Sequence, residues 1–394
     1  MGVHRVKRQM VYMLLTVFLV VSAGCSKKAP DKAADKGKPA AEAQKAGNAE
    51  PGGNKEGQAI SEQEQQVQAF VAQLKSGDAQ ARADAARGLG DIGEAAGAAV
   101  PALMQALRDE DAGVRAEAAG ALRWIGETAS PAAEALLAAL EDADANVRAQ
   151  AAAALSSVGA NPDDAVPGLI QALQDKDETV RMSAASSLGW FDDAGEPAVP
   201  DLMECLRDQN AMVRERAANA LGMIGEPAAP AVADLVALLN DESETVQSNA
   251  AMALGYIGEP AAEQGVPALV NKLKSGDENI KVYALQGLRD MGEAAAPALP
   301  VLRAHLTHAD ADVRQYAADA TGRLGEAAGP AVSDLVKLLN DPDPDVRLYA
   351  AQSLHSIGAP AISALPALKK HLESEKNEDV RKMMEFSIDW LEAL

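Results

Sequence analysis

A period of 33 residues constrains this chain more than any other feature. From Ser61 onward an apolar residue, usually followed by a basic one, recurs three places after an Asp, Asn or Ser. The apolar anchors are Ala81, Val114, Val147, Val180, Val213, Val246, Ile280, Val313, Val346 and Val380. Their spacing is 33 residues with two intervals of 34, which makes ten units. A unit this short cannot enclose a core, so it must bury its apolar face on its neighbours. That predicts a solenoid rather than separate globular domains.

Each unit predicts two helices. Three residues before the anchors stand Asp78, Asp111, Asp144, Asp177, Asn210, Ser243, Asp277, Asp310, Asp343 and Asn377, all residue types that accept hydrogen bonds from the free amides of a helix start. Apolar residues then follow at +4, +5, +8 and +11 from the anchor, as in Val114, Ala118, Ala119, Leu122 and Ile125, which is a helical stripe. A glycine ends most of these second helices, as at Gly93, Gly126 and Gly225. The first helix of a unit is shorter and in six units is predicted to begin at proline: Pro101, Pro167, Pro200, Pro267, Pro300 and Pro366. The chain is 48% apolar but only 3% aromatic. Much of the apolar share is alanine, which favours helices that approach closely.

The run Asp111-Ala-Gly-Val114-Arg115-Ala-Glu-Ala-Ala-Gly-Ala-Leu122-Arg-Trp-Ile125-Gly126 resembles a HEAT repeat, of the short bacterial type called PBS-lyase HEAT-like. The resemblance covers residues 61–394. It implies an all-α fold, a right-handed α-solenoid of about ten 33-residue helix pairs, with the second helices lining a concave face. The residues that mark ankyrin and tetratricopeptide repeats are missing. The ends differ as exposed caps should: Ser61-Glu-Gln-Glu64 is a capping box, and Met384-Glu385 replaces the alanine pair of the last second helix.

The N-terminus places Arg5, Lys7 and Arg8 before an apolar run from Met10 to Val21 and then Ser22-Ala23-Gly24-Cys25. The run is short of the roughly 20 residues a membrane-spanning helix needs, and its layout is that of a secretory signal. It resembles a bacterial lipoprotein signal, which implies cleavage after residue 24, lipidation of Cys25 and a membrane-anchored protein on the non-cytoplasmic side of the cell envelope. Ser22 stands where such signals usually carry Leu. Residues 25–60 are rich in Lys, Ala, Pro and Gly and read as a flexible tether.

A net charge of −22 disfavours a nucleic-acid partner. A protein or peptide partner on the concave face is the expectation. The outward registers of the second helices, +3, +6 and +10 from the anchor, hold most of the aromatic residues: Tyr283, Tyr316 and Tyr349 at +3, and Trp124, Trp190, Tyr256 and Trp390 at +10, with Met223 and Arg323 also at +10. Trp190, Met223, Tyr256, Tyr283, Tyr316, Tyr349 and Arg323 are therefore the candidate partner-binding residues. The tyrosines have a second reading, as space-fillers packed sideways between small alanines. The arginines one place after the anchor (Arg115, Arg148, Arg181, Arg214, Arg314, Arg347 and Arg381) form a ladder interrupted by Gln247. The family resemblance implies that they pair with the cap acids of neighbouring repeats.

Some HEAT-repeat proteins are enzymes, deoxyhypusine hydroxylase and bilin lyases among them. No histidine here is followed by the glutamate that the hydroxylase's iron site requires, and His305 and His308 straddle a helix end. Cys205 reads as a small core residue. The expectation is a non-catalytic scaffold without cofactor or metal; a HEAT-repeat enzyme or enzyme subunit, of the hydroxylase or bilin-lyase kind, and a purely structural spacer are the alternatives. Partner, oligomeric state and choice of membrane are not legible.

Overall fold

A computed structural model of the protein describes residues 61–274 and 277–394. Cys25, the signal-like segment and the tether lie outside the described residues. The described residues form ten helix pairs and no strand. In repeats 1 to 5 the second helices are Ala79–Ile92, Ala112–Ile125, Ala145–Ser157, Glu178–Gly189 and Ala211–Ile224. In repeats 6 to 10 they are Glu244–Ile257, Glu278–Met291, Ala311–Arg323, Pro344–Ile357 and Glu378–Glu392. Each packs on the next to make a continuous layer, and each first helix packs against the second helix of its own repeat. The fold is the all-α solenoid that the period predicts.

All ten second helices begin on the predicted cap residue, and nine of those side chains accept a first-turn amide. The Asp111 carboxylate, for example, accepts from the Val114 amide at 3.1 Å. Ser243 is the exception: its hydroxyl sits 2.9 Å from that of Thr245 and caps nothing. Eight of the ten second helices lead into a glycine with φ between 59° and 76°, a region costly for any residue with a Cβ. In repeat 4 Asp192 holds this place at φ 49°. The last second helix ends on Ala393 at φ −85°. Short 3-10 turns such as Gly126–Ala132 then lead to the next repeat.

Two prolines depart from expectation. Pro101, Pro200, Pro300 and Pro366 lie in the first turn of their helices, but Pro167 and Pro267 lie inside Pro162–Ala172 and Ala262–Leu273. In repeat 4 Asn161 caps a helix that starts early, its side chain accepting from the Asp163 amide. In repeat 7 the 3-10 turn shrinks to Glu259–Ala261 and the helix takes over the remainder. In repeat 4 the Asn161 cap offsets the single hydrogen bond that an interior proline forfeits, whereas Ala261 precedes the repeat 7 helix and provides no side-chain cap.

The second-helix layer is packed backbone against backbone. At register +9 a glycine meets the small residue at +7 of the next repeat. A Cβ on Gly189 or Gly222 would stand 2.9 Å from the Cα of Ala220 or Ala253. The predicted stripe is fully buried, with Val114, Ala118, Ala119 and Leu122 at 0% exposure. At the ends, Ser61 and Glu64 form the reciprocal capping box, and Met384 is buried in the last second helix.

The arginine ladder exists, but the cap acids are not its partners. Each guanidinium is gripped by the acid two residues before the next repeat's cap: Arg115 by Asp142, Arg148 by Asp175, Arg181 by Asp208 and Arg214 by Asp241, all at 2.7 to 3.0 Å. Arg314 and Asp341, and Arg347 and Glu375, repeat the bidentate contact. The cap carboxylate is already occupied by helix amides, so the acid upstream receives the guanidinium. That acid also accepts the cap's own amide, as Asp109 does from Asp111 at 2.9 Å. The arginine's remaining nitrogen donates to the carbonyl of its own turn, as Arg115 does to Asp109 O at 2.9 Å. Arg82 and Asp109 form a further rung behind an alanine anchor. Arg381, in the last described repeat, lies 3.8 Å from Glu385 of its own helix.

Candidate protein-binding face

The outward face of the second helices divides into rows by register. At +10 the side chains are largely open: Trp124 and Trp190 are each 69% exposed, Tyr256 is 46% exposed and Arg323 is exposed. Met223 is half-buried. The small +9 residues explain how these side chains are seated. A Cβ on Gly189 would touch Met223 Sδ and one on Gly222 would touch Tyr256, so these two +10 side chains lean over the glycine of the preceding repeat. At +3, Tyr283, Tyr316 and Tyr349 are half-buried, with part of each ring packed on the core. The tyrosines therefore pack and also present surface. In the last two described repeats the His355 ring lies tilted against Phe386 (centroids 4.8 Å apart) and Trp390 (5.3 Å), and both partners are exposed.

In repeats 6 to 9 the face carries a charged cluster. Arg289 occupies register +9, where repeats 1, 4, 5, 6 and 8 have glycine. It is bound by its neighbour Asp290 at 2.8 and 3.1 Å. Asp319, only 6% exposed, lies between Arg289 at 3.8 Å and Arg323 at 3.7 Å. Burial pushes the Asp319 carboxyl above the ordinary carboxylate range, and the two guanidinium charges pull it partly back. Burial opposes the Arg289 charge, but Asp290, Asp319 and Tyr256 outweigh it and hold the guanidinium ionised. Burial also raises the Tyr349 hydroxyl, helped by Asp319 and Tyr316, while Gln315 hydrogen-bonds to it. The cluster brings Tyr256, Tyr316, Tyr349 and Arg323 into one neighbourhood, whereas Trp190 and Met223 lie on earlier repeats. Sequence reading passed over Arg289 and Asp290. The available signal was an arginine at the register of closest backbone approach.

This set can hydrogen-bond, stack and pair charges. Two small concavities, of about 160 and 240 Å³, lie instead on repeats 1 to 3 around the Arg87–Glu117 ion pair, with Trp124 on the rim of the first. Among the described residues no three His, Cys, Asp or Glu side chains gather as a metal site. Both ring nitrogens of His305 face backbone carbonyls, those of Val301 at 2.9 Å and Leu273 at 3.1 Å. Cys205 is buried, and burial, the largest cause, raises its thiol to about 11, well away from a reactive thiolate.

The family described as HEAT repeats matches residues 67–156, 133–208, 232–320 and 299–388, and a single HEAT repeat matches residues 198–227. The chain belongs to the HEAT-repeat family. No curated protein matches its sequence. Among solved structures, importin beta is similar at 16% identity and a TM-score of 0.58, over 82% of this chain and 50% of that one. Kap95p, solved with RanGDP, is similar at 14% identity and 0.56, over 82% and 51%. Kap121p bound to the extreme C-terminus of the protein phosphatase Cdc14p is similar at 15% identity and 0.50, over 83% and 42%. This HEAT solenoid thus spans about half the length of the karyopherins it resembles, and the likeness is one of fold. Within it, the charged cluster sits on the second helices of HEAT repeats 6 to 9.

Proposed function

We propose that this HEAT-repeat chain is a non-catalytic scaffold of the PBS-lyase HEAT-like type, anchored by lipid on Cys25 at a bacterial cell envelope. It holds a protein or peptide on the concave, second-helix face. The observation that carries the reading is the concentration of a scarce residue type on that one face. Trp190 and Tyr256 stand exposed there, Tyr316 and Tyr349 offer half-buried rings beside the Arg289–Asp319–Arg323 cluster, and Tyr283 is half-buried on repeat 7. Aromatic and arginine side chains on an otherwise polar surface are the usual anchors of a protein interface. The matched karyopherin solenoids include one bound to a phosphatase C-terminus, which supports a binding role for the same fold.

The test is photo-crosslinking in native membranes from probes placed at Trp190, Tyr256 and Tyr316, beside a probe at Gln105 on a first helix. Crosslinks to one partner from the second-helix probes and none from Gln105 support the reading. Equal crosslinking from Gln105 overturns it. The anchor is tested separately by mass spectrometry of the mature N-terminus and by Cys25→Ala, which is expected to release the protein from membranes.

A further inference from the structure

We infer that the second-helix face of repeats 7 to 10 binds an extended, lysine- or arginine-bearing polyproline II segment of a protein partner. Prolines lie on the tyrosine row and cations on a neighbouring aspartate row. This rests on the partner-binding reading and specifies its ligand.

One residue before the anchor, repeats 8, 9 and 10 carry Asp312, Asp345 and Asp379, all exposed. The same register carries no charge in repeats 1 to 7. Four residues later, on the same helix face, come Tyr316, Tyr349 and Met383, with Tyr283 opening the row in repeat 7. An acid is thus paired with an aromatic in repeats 8 and 9 and with a methionine in repeat 10, and in no other repeat. Nearby cations are engaged elsewhere: Arg314 with Asp341, Arg347 with Glu375, Arg381 with Glu385 and Lys382 with Glu378. Asp312 also bears on Asp345 across the repeat boundary. Burial first, then Asp343 and Asp312, raises the Asp345 carboxyl. A cationic ligand relieves that crowding, and the chain's net charge of −22 attracts basic segments from a distance.

The spacing selects the backbone form. Stacked helices lie roughly 8 to 10 Å apart. A polyproline II helix advances about 9.3 Å in each three-residue turn, so every third side chain of such a ligand meets a successive tyrosine. An extended strand repeats on one face about every 6.7 Å and falls out of step. The rings are also half-fixed against the core, so little freedom is lost when a proline stacks on them. Flat aromatic rows of this kind suit proline.

The experiment is fluorescence anisotropy with the full chain and a labelled peptide of repeating Lys-Ala-Pro, about 12 residues or about four turns long. An isomer with irregularly placed prolines and a Glu-for-Lys counterpart serve as comparisons. The periodic peptide is expected to bind at least about fivefold more tightly than the isomer, and Tyr316→Ala to weaken it about tenfold. Tyr316→Phe, which keeps the ring, is expected to retain binding; Asp312→Asn with Asp345→Asn weakens it and flattens its salt dependence. Gln105→Ala, on a first helix, leaves it unchanged. Absence of binding, equal binding of the isomer, or indifference to Tyr316→Ala overturns the inference. So does sedimentation showing a dimer that Tyr316→Ala dissolves, which assigns the face to a second copy of the chain. If Tyr316 crosslinks a partner in membranes but the peptide does not bind, this inference falls while the scaffold reading stands.

Discussion

Repeats 1 to 5 and repeats 6 and 7 are built from the same helix pair, yet they are joined to their successors differently. In repeats 1 to 5 every second helix hands a guanidinium to an acid of the next repeat: Arg82, Arg115, Arg148, Arg181 and Arg214 in turn. In repeats 6 and 7 the arginines give way to Gln247 and Lys281, and in the sequence the position two residues before the next cap changes with them, to Ser275 and His308. The Gln247 amide donates to Asp241 O at 2.5 Å, but its buried oxygen meets no partner among the described residues. Lys281 turns to Glu278 of its own helix, and His308 approaches the same acid at 3.5 Å. The cap of repeat 6, Ser243, is also the one that does not cap. Cation and acid change together, which avoids a buried charge without a partner. The comparison teaches that the apolar stripe and close helix approach suffice to continue the stack, and that the ion rungs are an addition to them.

The largest contrast should come from cutting a rung. Arg214 and Asp241 are almost fully shielded, so Asp241→Ala leaves a shielded guanidinium with the exposed Glu242 at 3.4 Å as its remaining carboxylate and is expected to destabilise by about 3 kcal/mol. Gln247→Ala, at the arginine's register in the next repeat, should cost less than about 1 kcal/mol. Urea unfolding monitored by circular dichroism reads both, and equal losses would show that the two joints do not differ.

Next is the helix approach that both regions share. Gly222→Ala forces a Cβ to 2.9 Å from the Ala253 Cα and should cost about 1 to 3 kcal/mol. Gly120, whose added Cβ meets only Gln150 Oε1 at 3.6 Å, should accept alanine with a gain of up to about 1 kcal/mol from helix propensity. A milder cost at Gly222 would mean that repeats 5 and 6 slide apart more easily than their contact suggests. The interrupted joint can also be rebuilt. Lys281→Arg combined with His308→Asp supplies the missing rung between repeats 7 and 8 and is expected to add about 1 kcal/mol, with neither change alone doing so. A double-mutant cycle measures the coupling directly.

The architecture was legible because each repeat carries its own punctuation: a cap three residues before the anchor, a stripe within the helix and a glycine after it. Ten copies make that punctuation redundant, so even the non-capping Ser243 starts its helix on time. The ladder partners were misassigned because sequence shows which acids are near but not which are already occupied. Asp111 spends its carboxylate on the Val114 amide, and Asp109 is left for the arginine. The site was legible only as registers. That Met223 and Tyr256 lean over the preceding glycine, and that Asp319 at +6 is buried between two arginines, depends on distances between repeats, which a one-dimensional period does not contain.

The smallest effect distinguishes the two kinds of acid by the sign of their pH dependence. Arg347's hydrogen bonds hold the Glu375 carboxyl down at about 2 against an ordinary 4.5, with the Asn377 and Lys376 amides assisting and burial opposing. The unfolded chain binds this proton more tightly, so the stability Glu375 contributes is complete above pH 4.5 and is lost as pH falls toward 2. Asp319 behaves in the opposite sense. Burial lifts its folded-state carboxyl above the unfolded value, so the penalty of its charge is relieved as pH falls through that raised range. Glu375→Gln should therefore flatten the acid limb of the stability curve, while Asp319→Asn should leave that limb steeper and change neutral stability by less than about 1 kcal/mol. Stability measured by urea titration between neutral pH and the acid limb checks both slopes. If Asp319→Asn flattened the acid limb as Glu375→Gln does, the Arg289 and Arg323 charges would be dominating Asp319 over its burial, and the cluster would be an eighth ion rung turned onto the open face.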